Sequence, residues 1–136
     1  MTFASIERLL RTWLPSRVGN VEVVAELPAQ FEIPTSTTYT MPVVFVERIS
    51  GANILENPYL DRAVVDVDSY GFTRAQAQDL AELVRSALMW QLPGEIVDGN
   101  VFTRTRTIVG PRALPHANPA VRRYTATYEL ALHPQA

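Results

Sequence analysis

Ile6, Leu9, Leu10 and Trp13 recur at the spacing that gathers side chains on one side of an α-helix. The pattern predicts a helix from Thr2 or Ser5 to Leu14, ended by Pro15, whose ring removes a backbone donor. Val21 to Leu27 (VEVVAEL) is short and rich in β-branched residues, which predicts a strand closed by Pro28. Met41 to Ile49 (MPVVFVERI) is a nearly continuous apolar run, the pattern of a strand buried on both faces, and is expected at the centre of the sheet. Turn formers fill Ser50 to Asp61, and Ala63 to Tyr70 resumes strand character with Val64, Val65 and Val67, so the two strands are expected to pair as an extended hairpin.

Thr73 and Gln76 match a capping box, and Ala77, Leu80, Ala81, Val84, Ala87 and Leu88 follow with helical periodicity. Gln78, Asp79, Glu82 and Arg85 occupy the other side, so this helix is expected to lie on a sheet with one face in solvent, and Pro93-Gly94 stops it. Val101 to Val109 alternates Thr or Val with Phe102, Arg104, Arg106 and Ile108; Val121 to Leu132 points Tyr124, Ala126, Tyr128, Leu130 and Leu132 inward. The order α-β-β-β-α-β-β predicts an α/β (α+β) fold: a single mixed or antiparallel sheet of about five strands with two helices on one face.

Two segments resist regular structure. Residues 28 to 40 (PAQFEIPTSTTYT) combine prolines with a Ser/Thr cluster, yet carry Phe31, Ile33 and Tyr39, apolar side chains that a solvated loop does not need. Gly110 to Pro119 (GPRALPHANP), with Arg112 and His116, is too long and proline-rich for a tight hairpin turn. Both are read as arms that dock on something.

A length of 136 residues suits one domain spanning the whole chain, and 47% apolar beside 19% charged residues is a globular balance. Without cysteine there is no disulfide framework, thiolate metal site or thiol nucleophile. All twelve basic residues are arginine, which removes lysine-based chemistry. Glu7, Arg8 and Arg11 interrupt the N-terminal apolar residues, and Glu47, Asp66 and Arg85 break the others well short of the roughly 20 needed to span a bilayer. A soluble protein made inside the cell, without a membrane partner, is expected.

Asp66 and Asp68 stand two apart on one predicted strand and so share a side, roughly 6 to 7 Å apart. No loop of further oxygen ligands surrounds them, so no metal site is expected. Arg104 and Arg106 repeat that spacing, and a cross-strand charge ladder with the aspartates, or a face presented to a neighbouring subunit, accounts for all four. His116 and His133 lie beside prolines without a partner at ligand spacing, and neither a G-x-S-x-G elbow nor a phosphate-cradling glycine motif occurs. No cofactor is expected. Arg122-Arg123-Tyr124 is a small basic-aromatic cluster, but a net charge of -2 argues against sequence-specific nucleic-acid binding. What remains is a binding module whose apolar strands are covered by other copies.

The chain resembles the tail terminator (tail completion) proteins of long-tailed bacteriophages, particularly those infecting actinobacteria. The likeness rests on the N-terminal amphipathic helix followed by VEVVAELP, MPVVFVERISG, DRAVVDVDSYGFTRAQAQDLAELVRSAL and VGPRALPHANPAVRRYTATYELAL, in that order. It implies a non-enzymatic virion protein, assembled in the host cytoplasm, that forms a homo-oligomeric ring, commonly a hexamer. Such a ring caps the tail tube, touches the major tail tube protein and the head-side connector at the head-tail junction, and lets the genome pass through its lumen. Candidate subunit or tube contacts are Phe31, Ile33, Tyr39, Asp66, Asp68, Arg104, Arg106, Arg112, His116 and Arg122. A head-closure or neck connector role is the nearest alternative. A small enzyme with a site assembled at a subunit junction from Asp66, Asp68, Arg104, Arg106 and His116 is the alternative of another class.

Overall fold

The computed structural model describes residues 5–26, 42–50, 61–116, 118 and 120–134. Helix α1 (Ile6–Trp13) is capped by Ser5, whose hydroxyl accepts from the Arg8 N–H, and buries Ile6, Leu9, Leu10 and Trp13. Pro15 opens a short 3-10 turn (Pro15–Arg17) that leads to β1 (Glu22–Val24). Strands β2 (Val43–Ser50) and β3 (Asp61–Gly71) pair antiparallel, as the hairpin reading expected. Helix α2 (Arg74–Ser86) follows; the Thr73 hydroxyl accepts from the Gln76 N–H, while the Gln76 side chain reaches back to the Phe72 N–H at 2.8 Å.

The chain then makes a π-type turn (Ala87–Gln91), with the Leu92 N–H bonded to the Ala87 carbonyl, before β4 (Ile96–Val97), β5 (Asn100–Leu114) and β6 (Arg122–Pro134). Asp98 and Gly99 both adopt positive φ, the geometry that lets a two-residue turn join β4 to β5. The six strands form one sheet in the order β1-β2-β3-β6-β5-β4, with β1 parallel to β2 and every other pair antiparallel.

Both helices cover one face. Helix α1 lies on β1 and β2, α2 lies across β3, β6 and β5, and their apolar sides share one core with Val44, Val46, Val65, Val67 and the β6 row. Ala126, Tyr128, Leu130 and Leu132 point into it and Tyr124 lies buried on the same side in a small cluster with Ala77 and Ala81 of α2, as their alternation predicted. Gly71 marks the passage from β3 into α2: a Cβ there would stand 2.9 Å from the Ala77 nitrogen and from Gln76.

Three expectations change. The apolar run of β2 does not mark the sheet centre, which belongs to β3 and β6. Only Val43 to Val46 is shielded on both sides, by the helices on one and by a small cluster of Val24, Val43, Phe45, Tyr70 and Val121 on the other, whereas Glu47 and Ile49 are exposed. The arm expected at Gly110 to Pro119 is strand as far as Leu114, because β5 keeps pairing with β6 through three register shifts. Finally, the sheet's apolar side is sealed by the chain's own helices rather than left for other copies. The arm with Phe31, Ile33 and Tyr39 lies outside the described residues.

Candidate functional site

The face opposite the helices is built by the alternate residues of each strand. Register runs Glu22–Val43–Tyr70–Arg123–Leu114 in one row, Val24–Phe45–Asp68–Thr125–Arg112 in the next, then Glu47–Asp66–Thr127–Val109. Further along come Val64–Glu129–Arg106 and Arg62–Ala131–Arg104. Asp66, Asp68, Arg104, Arg106 and Arg112 therefore share one open face.

The anticipated ladder between the aspartates and Arg104 and Arg106 does not form, because β6 lies between β3 and β5. Asp66 instead accepts from the Thr127 hydroxyl at 2.6 Å, and Arg106 meets Glu129 at 3.4 Å. Asp68 accepts from the Tyr70 hydroxyl at 3.3 Å and has the Arg123 guanidinium 3.9 Å away. Burial raises the Asp68 pKa above its ordinary 3.8, against the opposing pull of a Thr125 hydrogen bond and the Arg123 charge.

Beside this acidic pair, Arg123 donates to the Pro115 carbonyl at 2.6 Å and His116 stands edge-on to Tyr70, ring centroids 5.6 Å apart. His116 Nδ1 accepts from the Asn118 N–H. The histidine thus pins the β5–β6 connection onto the sheet. Arg122 points the other way, beside a surface hollow of about 290 Å³ on the helix side lined with Arg74, Ala113, Pro115 and Tyr124. The groups of the enzyme alternative are divided accordingly: Arg104 and Arg106 line a cleft of about 250 Å³ with Arg62, Thr103, Glu129 and Ala131, and neither aspartate nor His116 reaches it. Among the described residues no group of three or more His, Asp or Glu is placed to hold a metal ion, and no helix is long and apolar enough to cross a membrane.

Sequence reading missed Arg62, Glu129 and Trp90. Counting back in twos from Asp66 places Arg62 on the same face, and counting forward seven from Leu83 places Trp90 on the outer side of α2. Trp90 is 81% exposed and Leu83 51%, an apolar pair at the end of a helix whose other side is core.

The chain is an α+β protein with one sheet face closed by its helices, which leave Leu83 and Trp90 exposed on their outer side, and with the other face laid out in charged strips. The chain belongs to the phage tail termination protein family, whose model matches residues 2–136. It is a structural bacteriophage protein, and the family places it in the virion tail, in contact with other tail and head-tail proteins. Comparison with curated proteins gives no match.

Proposed function

We propose that this protein forms a closed ring, a hexamer, that caps the finished tail tube, stops its polymerisation and offers its other rim to the head-side connector. The family match over residues 2–136 carries the reading. The surface supports it: Trp90, Leu83 and Ile108 are large apolar side chains left in water, the kind of area that subunit or tube contact covers at roughly 25 cal/mol per Å². Assembly takes place in the host cytoplasm, and the genome passes through the lumen.

The test is to polymerise tail tube protein with and without the purified chain and to measure tube length and the density at tube ends by electron microscopy. Added protein should stop elongation and leave a cap on one end. Tubes that grow unchanged and uncapped would refute the reading.

A further inference from the structure

On the open face the two sides of the sheet carry opposite charge. Strand β5 contributes Arg104, Arg106 and Arg112 and no acid; β1 and β2 contribute Glu22 and Glu47 and no base. Three strand spacings separate β2 from β5, about 14 Å at the usual interstrand distance. That exceeds the Debye length of about 8 Å at physiological ionic strength, so the two strips cannot neutralise each other within one chain.

The basic side is also shaped. Arg62 and Arg104 flank Ala131, whose methyl group leaves the 250 Å³ cleft open between them, with Arg106 and Glu129 at its rim. Among the described residues neither the Arg62 nor the Arg104 guanidinium has an acceptor, and Glu129 is the only acid in the lining. The acidic side is equally unanswered: Glu22 and Glu47 are exposed and form no ion pair among the described residues. Among the described residues, no strand pairs with the outer edge of β5 beyond Val101 or of β2 beyond Phe45.

We infer that the basic β5 side of one copy receives the acidic β1–β2 side of a second copy, with carboxylates of the second copy entering the Arg62–Arg104–Arg106 cleft, so that copies join head to tail. This rests on the ring reading and names the contact that closes the ring, since such a ring needs two unlike, complementary patches on every subunit. A second copy fits better than a nucleic acid, because the matching acids are on this same chain and Asp66, Asp68 and Glu129 on the same face repel a polyanion.

The experiment uses three full-length proteins: wild type, Arg104→Glu/Arg106→Glu, and Glu22→Arg/Glu47→Arg. All four positions are exposed, so each variant should keep the wild-type circular dichroism. Self-association is read by size exclusion with light scattering, alone and as an equimolar mixture, and duplex DNA binding is measured in parallel. Each variant alone should associate at least about a hundredfold more weakly than wild type, because like charges are brought face to face. The mixture should regain assembly in particles alternating the two variants.

Variants that assemble as wild type does, or a mixture that fails to assemble, would overturn the contact while leaving the ring standing. Loss of DNA binding with self-association intact would overturn it in favour of nucleic acid. A wild type that stays monomeric even on tail tubes would overturn the contact and the ring together, and the tube-length assay separates that case from the others.

Discussion

Tyr128 on β6 is fully buried beneath α2, and its hydroxyl has no hydrogen-bond partner among the described residues. Tyr128→Phe removes that hydroxyl and little else. An unsatisfied buried hydroxyl costs about 1–3 kcal/mol. Deleting one oxygen leaves a void of roughly 10 Å³, worth about 0.2 kcal/mol at the usual cavity cost. The variant should therefore be more stable than wild type at neutral pH by about 1 kcal/mol, the low end of the range less the cavity.

Alkali adds a second signature. Burial pushes the Tyr128 phenol from 10.0 up to about 12. The unfolded chain thus releases this proton earlier than the folded one, so stability that is intact below pH 10 falls as pH rises towards 12. Phenylalanine has no proton to release, and the advantage of the variant should widen over that window by on the order of 2 kcal/mol. Urea denaturation followed by circular dichroism at neutral pH and at several points between those pKa values measures both effects. A variant less stable than wild type at neutral pH would refute the reasoning, because the hydroxyl would then be making an interaction that holds the fold.

Arg48 donates to both oxygens of Asp61, at 3.1 and 2.9 Å, and Asp61 is only 1% exposed; Arg48→Met strands that carboxylate and should cost about 2–3 kcal/mol in urea melts, below the figure for a fully buried pair because Arg48 itself reaches water. Adding Asp61→Leu should recover most of that loss, and failure to recover any would show that the pair is not the cause. Gly71→Ala sets a methyl group against the α2 backbone and should destabilise by about 1–3 kcal/mol; an unchanged melt would mean that β3 and α2 part easily. Asp68 has a raised pKa, so the stability it contributes below pH 3.8 is lost as pH rises through its folded value. Asp68→Asn should accordingly be at least as stable as wild type at neutral pH and lose that advantage in acid, which paired melts at the two pH values will show.

Most of the fold was legible because its elements are amphipathic on one side only. Helix α1, helix α2 and the inward row of β6 announce themselves by periodicity, and the structure buries the residues so identified. The β4–β5 turn carried its own signal, Asp98-Gly99, which a reading focused on longer strands passes over. The position of β2 was not legible, since an apolar run reports burial without saying whether neighbouring strands, helices or a satellite cluster supply it. The open face was read in part. Equal spacing put Asp66 with Asp68 and Arg104 with Arg106, but strand order decides which pairs touch, and β6 stands between them.

Strict alternation along β5 would have put Phe102 and Arg104 on the same side. The register shift at Thr103 sends Phe102 into the core and Arg104 to the open face. Further shifts after Thr107 and Val109 rephase the strand again. Each irregularity works like an expansion joint in a long rail, absorbing a misfit locally so that the segments on either side stay in step with β6. Losing Thr103 itself would leave plain alternation with Phe102 still inside and Arg104 still outside, whereas losing a residue between two joints, such as Thr105, would turn Arg104 or Arg106 towards the greasy layer.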